Sequence, residues 1–194
     1  MTIHQPLPEL TTQLRKLELS GMVATLDVRN QEAIANQMAY TEFLSLLVQD
    51  ELLTRDNRRY ERRLKLANLS GYKTIENFDF KFNPKINQAL IRDLVTGRFI
   101  MEKYPLLIIG PCGTGKSHIG QAIGLCAIRQ GINVICTSQT ELLKTLQTAK
   151  VTLLIIDDFG LKPLRVPQDE DLHDLIAQRY EKTTTIVTSN LGVT

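Results

Sequence analysis

The segment from Gly110 to Ser117 has the residue types and the spacing of a phosphate-binding loop. Its eight residues are Gly-Pro-Cys-Gly-Thr-Gly-Lys-Ser, which match the pattern G-x-x-x-x-G-K-[ST]. In such loops the glycines turn backbone N–H groups toward the β-phosphate, the lysine reaches the β- and γ-phosphates, and the serine hydroxyl binds Mg²⁺. We therefore predict that the chain binds ATP with magnesium. The predicted nucleotide-binding residues are Gly110, Pro111, Cys112, Gly113, Thr114, Gly115, Lys116, Ser117 and His118.

Two carboxylates follow an apolar run about forty residues after this loop. The run, residues 153–156, ends in Asp157 and Asp158, which is typical of a Walker B strand. A buried parallel strand delivers its last side chains to the carboxyl edge of the sheet, where the phosphate-binding loop also lies. We expect Ser117 and Asp157 to hold magnesium, and Asp158 to orient and polarise the attacking water. The alternative is two solvated acids at the start of a turn, because aspartate favours turns.

A third polar group, Asn190, stands two residues after the apolar run 185–188. At the end of a strand of the same sheet, its amide would hydrogen-bond the γ-phosphate or the nucleophilic water and so sense the state of the nucleotide. The alternative is a turn-forming asparagine. The predicted catalytic residues are therefore Lys116, Asp158 and Asn190.

Six cations crowd the end of the second long helical pattern. Spacings of three and four residues place most of them near one face of a helix. Such a stripe suits the phosphate backbone of double-stranded DNA. A solvated face whose cations complement the helix C-terminus is equally compatible with the pattern, so both interpretations stay open. The six residues are Arg55, Arg58, Arg59, Arg62, Arg63 and Lys65.

The elements before the phosphate-binding loop are predicted to be helical. Apolar residues recur at helical intervals over residues 10–26, where Gly21 interrupts them, and again from Thr41, which suits an N-cap. We predict a helical N-terminal domain over residues 1–70. Residues 71–84, in which Phe78, Phe80 and Phe82 alternate, are predicted to be an extended connector. These rings either pack in the core or include one that stacks on adenine.

After the connector, predicted strands and helices alternate. The strands cover residues 106–109, 133–136, 153–156 and 184–188, and the helices cover 117–130, 141–148 and 169–181. This order favours the α/β class, with a parallel sheet and helices on its faces, in a P-loop NTPase core over residues 85–194. The last helix before the Walker B strand ends near Lys150, almost without a connection to Leu153. Such connections usually have about two to six residues.

Composition and charge limit the functional classes. Apolar residues make up 43% and charged residues 23% of the 194, and the formal net charge is +2. Because both halves are nearly neutral, any nucleic-acid surface must be a local patch. No stretch approaches the roughly 18 apolar residues that a membrane span needs, so we expect a cytosolic protein without membrane contact. Its three cysteines, Cys112, Cys126 and Cys136, lack CxxC spacing, so we expect reduced thiols and no zinc site.

Together these motifs resemble the IstB-type ATP-binding helpers of insertion-sequence transposition and, more distantly, the DnaC-type helicase loaders. The resemblance covers almost the whole chain. It implies an AAA+ core behind a helical N-terminal domain, in a bacterial cytoplasmic ATPase. It further implies a homo-oligomer that assembles on double-stranded DNA when ATP is bound and assists a transposase in target selection or capture. The matching stretches are residues 14–22, 57–64, 78–80, 110–117, 155–160 and 179–190.

The resemblance also shows two departures and leaves alternatives. The family has a longer segment before Walker B, and it continues beyond Asn190 into a fifth strand, an arginine finger and a helical lid, whereas this sequence stops at Thr194. We therefore expect weak ATP hydrolysis from this chain and assign no arginine finger, Arg179 included. The alternatives are a helicase loader, a P-loop small-molecule kinase, which the paired aspartates disfavour, and an ATP-gated binding module without hydrolysis.

Overall fold

The computed structural model describes residues 7–142, 151–160 and 168–190. The chain divides into two compact units, Met1–Glu61 and Arg62–Thr194. Within the described ranges no helix is long and apolar enough to cross a bilayer.

The first unit is helical. It contains α1 (Leu7–Lys16), α2 (Ser20–Ala35) and the beginning of α3 (Tyr40–Leu66). The expected N-cap role of Thr41 is wrong, because the N–H of Phe43 donates to the carbonyl of Ala39 and Thr41 therefore lies inside the first turn.

The expected interruption at Gly21 is also wrong, since the break between α1 and α2 lies at residues 17–19. Gly21 instead marks a close approach of two helices, because a Cβ at this position would lie 2.7 Å from the Cα of Glu51. The buried carboxylate of Glu51 accepts hydrogen bonds from the N–H groups of Gly21 (2.6 Å) and Met22 (3.2 Å). Glu51 thus replaces the side-chain cap that Leu19 does not provide at the start of α2.

The second unit has a parallel α/β architecture, as predicted. Its strands run in the order β1-β4-β3-β2, and all three pairings are parallel. Helices α4 and α5 were not expected from the sequence. The predicted helix over 141–148 is described only as far as Leu142, and Lys150 lies outside the described residues. The elements are α4 (Gln88–Val95), α5 (Arg98–Met101), β1 (Leu106–Ile109), α6 (Lys116–Arg129), β2 (Val134–Ser138), α7 (Gln139–Leu142), β3 (Leu153–Phe159), α8 (Gln168–Arg179) and β4 (Thr184–Ser189).

Part of the core of this unit lies between the sheet and α6, and another part is a cluster in which Leu154 and Ile156 of β3 pack with Leu142 of α7 and Leu172 of α8. Residues 153–156 of β3 are fully buried, and α6 is buried from Ile119 to Ile128. An apolar central strand and a helix buried along its length are the pattern expected for a sheet covered by helices. Because their pairings are parallel, β1, β4 and β3 have their carboxyl ends at one edge of the sheet.

The segment before α4 differs from the expected extended connector. Residues 71–84 form successive turns without a strand. Polar side chains stabilise these turns: Asp79 Oδ1 accepts from the N–H of Lys81, and Asn83 Oδ1 accepts from the N–H of Lys85. The alternation of three phenylalanines is therefore not a strand face, and Phe82 is exposed.

Candidate nucleotide-binding site

One cavity at the carboxyl edge of the sheet brings the predicted motifs together. Its volume is about 310 Å³. Residues from the phosphate-binding loop, from the end of β3 and from the end of β4 line it, although these three segments are far apart in the sequence. Parallel strands make this possible, because their carboxyl ends meet at one edge. The lining residues are Lys73, Cys112, Gly113, Gly115, Lys116, Ser117, His118, Asp158 and Asn190.

The loop between β1 and α6 has the backbone conformation that its glycines permit. Gly113 and Gly115 have φ angles of 79° and 89°, in the left-handed region where side chains are strained. Gly115 is also the N-cap of α6, so the N-terminus of a buried 14-residue helix points its free N–H groups toward the loop. Lys116 begins this helix and is only 6% exposed, and its Nζ donates to the carbonyl of Pro111 (2.7 Å). Backbone N–H donors at the start of α6 and the buried cation of Lys116 therefore lie together at this side of the cavity.

The two aspartates at the end of β3 have different environments. Ile156 pairs with Val187 and Phe159 pairs with Ser189, so β3 contains one extra residue between these pairs. This bulge coincides with a left-handed conformation at Asp158 (φ 54°). A bulge re-aims side chains that would otherwise point to opposite faces. Asp158 is consequently exposed in the cavity lining, and its carboxylate accepts no hydrogen bond from the described residues.

Two residues that the sequence analysis missed hold the neighbouring Asp157. The hydroxyl of Thr188 donates to Asp157 Oδ1 and accepts a hydrogen bond from the N–H of Asp158 (3.0 Å). Gln121 Nε2 donates to Asp157 Oδ2 (3.3 Å). Both side chains are buried, so Asp157 is fixed in place while Asp158 is not. A glutamine inside the otherwise apolar core of α6 was the sequence signal for this role.

The oxygen atoms of Ser117 and Asp157 suit a magnesium ion. Mg²⁺ prefers hard oxygen ligands and usually binds one or two carboxylates, water and substrate phosphates. Ser117 lines the cavity, whereas Asp157 lies beside it and is not among the lining residues, so the shared magnesium role of the two side chains stays a prediction. Within the described ranges, no group of three or more His, Cys, Asp or Glu side chains is arranged as a metal site of the protein alone.

Asn190 directly follows β4 and is half-buried in the cavity lining. The carbonyl of Ser189 accepts from the N–H of Gly110 (3.3 Å), and the Ser189 hydroxyl donates to the carbonyl of Phe159 (2.9 Å). These bonds tie the end of β4 to both the phosphate-binding loop and β3. Asn190 is thus placed where a nucleotide sensor would act, and its role stays a prediction.

His118 connects the phosphate-binding loop to the turns of the preceding segment. Its Nε2 lies 2.7 Å from the carbonyl oxygen of Thr74, and its ring meets Phe78 edge-on with centroids 5.1 Å apart. Phe78 also contacts Phe80 edge-on and lies so close to Gly115 that a Cβ there would be 2.7 Å from the ring. These contacts favour the packing interpretation for Phe78. His118 lines the cavity and also anchors the segment beside it.

The six cations of α3 divide into two groups. Arg55 donates to the buried Glu51 (2.7 Å), Arg63 donates to Asn133 (3.2 Å), and Arg59 lies 3.4 Å from the exposed Asp56. Arg58, Arg62 and Lys65 are exposed and form no ion pair within the described ranges. Their spacing of four and three residues places them on one face of α3. Arg58, Arg62 and Lys65 are therefore the cations of this set without an ion pair or a side-chain hydrogen bond among the described residues, and DNA contact by all six stays a prediction.

We expect Cys112 to be alkylated before the other two thiols. It is exposed at the cavity, whereas Cys126 and Cys136 are buried. Burial raises the pKa of Cys126, and burial together with the charge of Asp157 raises the pKa of Cys136 to about 12, so both thiols stay protonated. Peptide mapping after brief iodoacetamide treatment at pH 8 measures this order, and ATP with Mg²⁺ should protect Cys112. Equal labelling of Cys112 with and without ATP would contradict the predicted nucleotide position.

Comparison with known proteins identifies close relatives. The sequence matches the model of a family described as IstB-like ATP binding protein over residues 12–194. A protein of Mycobacterium tuberculosis, named as an ATP-binding protein in an insertion sequence, is 33% identical over 186 residues, which cover 89% of this chain and 74% of that one.

Two solved structures share the fold. One is a DNA replication initiation factor, with a TM-score of 0.54 and 22% identity over 64% of this chain and 43% of that one. The other is AMPPCP-bound DnaA from Aquifex aeolicus, with a TM-score of 0.51 and 23% identity over 64% of this chain and 44% of that one. This chain therefore spans less than half the length of either structure. The likeness confirms the predicted AAA+ P-loop fold.

Proposed function

Because the chain belongs to the IstB-like ATP binding protein family, we propose that it is an AAA+ ATPase that assembles on double-stranded DNA and assists a transposase. The observation that carries the ATPase proposal is the convergence of the phosphate-binding loop, Asp158 and Asn190 on one cavity. The name of the mycobacterial relative, which places that protein in an insertion sequence, supports the link to transposition.

The polyphosphate of ATP would bind at the N-terminus of α6. Backbone N–H groups of the loop and the dipole of a long helix attract phosphate, and Lys116 adds a full positive charge. Ser117 and Asp157 would hold the Mg²⁺ ion, which neutralises part of the charge on the phosphates. Gln121 and Thr188 keep the carboxylate of Asp157 in one orientation, so this side chain would lose little conformational entropy when the ion binds.

Hydrolysis would depend on the contrast between the two aspartates. Asp157 is occupied by two hydrogen bonds, whereas the carboxylate of Asp158 faces the cavity without a partner among the described residues. A carboxylate that is free to accept a hydrogen bond can orient a water molecule and receive its proton. Asn190 lines the same cavity and would hydrogen-bond the γ-phosphate or that water. This division of roles favours an ATPase over a binding module without hydrolysis.

Contact with DNA would involve the exposed cations of α3. Arg58, Arg62 and Lys65 form no ion pair within the described ranges. Cations along one face of a helix can each bind a phosphate of the DNA backbone. Contacts of this kind position a protein on DNA without reading its sequence.

Particle size measured by light scattering tests the assembly directly. We expect large particles only when the chain, duplex DNA and a non-hydrolysable ATP analogue with Mg²⁺ are all present. The Lys116→Ala variant is the matched control, because it keeps the α3 cations and loses the phosphate contact. Particles that form equally well without nucleotide would contradict ATP-gated assembly, and a separate single-turnover hydrolysis assay with and without DNA would test the ATPase step.

A further inference from the structure

Lys73 lies outside every motif recognised in the sequence, yet it lines the cavity together with Lys116, Ser117 and Asp158. Its side chain is half-buried. Within the described ranges it makes no hydrogen bond and no ion pair through its ammonium group. Partial burial of a cation without a partner costs free energy, which an anionic ligand would recover.

The position of Lys73 is set by a short segment that we call the strap, residues 67–74. The strap follows α3 and is attached to the edge strand β2 at its start, where the N–H of Cys136 donates to the carbonyl of Ala67 (2.8 Å). At its middle, the N–H of Ser70 donates to Gln121 Oε1 (3.1 Å). At its end, the carbonyl of Thr74 meets the ring of His118 (2.7 Å).

These attachments hold Lys73 in a defined place. The N–H of Lys73 donates to the carbonyl of Ser70 (3.1 Å), which closes a turn between the anchors at Ser70 and Thr74. Both anchors are made to side chains of α6, the helix that begins with the phosphate-binding lysine. The backbone of Lys73 is therefore held beside the phosphate-binding loop.

The charge of Lys73 acts on the same region as the Walker B carboxylate. Burial is the largest cause of the raised pKa of Cys136, Asp157 raises that pKa further, and Lys73 lowers it. Asp157 and Lys73 thus act on one thiol with opposite sign, which agrees with their common location at this edge of the sheet.

We propose that Lys73 is a second phosphate-binding cation of the site and contacts the polyphosphate of bound ATP. ATP carries about four negative charges at neutral pH, of which Mg²⁺ and Lys116 offset about three. A further cation that is partly desolvated and carried on an anchored backbone would complete this balance. The inference rests on the proposed binding of ATP to this cavity.

Substitution of Lys73 by glutamine tests the proposal. We expect Lys73→Gln to weaken ATP binding about tenfold, the usual effect of losing one charge-assisted hydrogen bond that competes with water. Adenosine, which has no phosphate, should bind both forms equally, and Lys73→Arg should retain most of the affinity. The matched control is Lys81→Gln, which removes an exposed cation from the same turns without touching the cavity. Titration calorimetry without DNA measures all four proteins.

The outcomes separate this inference from the proposed function. Equal ATP affinity in Lys73→Gln and the unsubstituted chain would overturn the role of Lys73 and leave the ATPase proposal standing. An equal loss for ATP and adenosine would also overturn it, since that pattern indicates a disturbed strap. In a separate titration of labelled duplex without nucleotide, weaker DNA binding by Lys73→Gln together with unchanged ATP affinity would assign Lys73 to the DNA backbone instead. If the unsubstituted chain binds no ATP, both proposals fail together.

Discussion

Replacement of Lys116 by alanine is expected to raise the Kd for ATP about a hundredfold, while Asp158→Asn should leave it nearly unchanged and slow hydrolysis by about 10²- to 10⁴-fold. Lys116 is buried and lines the cavity, and partial exclusion of water strengthens its electrostatic attraction for phosphate. Its removal therefore weakens the ground state of the complex with ATP. Asp158 acts on the attacking water, so its effect should appear in kcat rather than in binding.

Asparagine is a clean replacement at residue 158 for a structural reason. The residue has a φ of 54°, a conformation that asparagine tolerates better than most residues, and its hydrogen bond to the Thr188 hydroxyl is donated by the backbone N–H, which the substitution keeps. Asp158→Asn should therefore keep the bulge and remove only the charge. Asp158→Ala is the comparison that should also disturb the bulge and lower the thermal midpoint.

Calorimetric titration of ATP with Mg²⁺ and single-turnover hydrolysis of radiolabelled ATP separate the two effects. Equal ATP affinity in Lys116→Ala and the unsubstituted chain would show that the loop does not bind the phosphates. Full hydrolysis by Asp158→Asn would assign the water-orienting role to another group.

The salt dependence of DNA binding should report the exposed cations of α3. If Arg58, Arg62 and Lys65 each meet a phosphate, they contribute about −0.9 × 3, or roughly −2.7, to the slope of log affinity against log salt. A fourfold increase in salt would then weaken their share of binding about 40-fold. Replacing all three by glutamine should remove this part of the slope for every DNA sequence alike and leave ATP affinity unchanged.

Arg55, Arg59 and Arg63 are left in place in this variant because each already contacts a side chain of the protein. A control with Lys81, Lys85 and Lys182 replaced by glutamine changes the net charge by the same amount at other exposed positions. Fluorescence anisotropy of a labelled duplex at several salt concentrations, with the ATP analogue present, measures both variants. A slope that is equal in both variants would mean that the α3 cations are a solvated helix face and that DNA binds elsewhere.

The sequence by itself determined the fold class and the phosphate-binding loop. Short apolar runs such as residues 153–156, followed by turn-forming residues, are typical of buried strands, and their alternation with helical patterns favours a parallel sheet. The loop could be recognised because Gly113 and Gly115 adopt conformations that few other residues tolerate. These features depend on neighbours in the chain, so a local pattern is enough to predict them.

Tertiary structure decided how the site is completed. Asp157 and Asp158 have different environments because the pairing of β3 with β4 leaves one residue in a bulge. The bulge cannot be predicted from the two aspartates themselves. Gln121 hydrogen-bonds Asp157, and Lys73 lines the cavity, only because segments that are distant in the sequence pack together. Gly21, expected to break a helix, proved to be the point where α2 passes Glu51. In each case the deciding contact joins residues that are far apart in the sequence and adjacent in the folded chain. Patterns of neighbouring residues cannot predict such contacts.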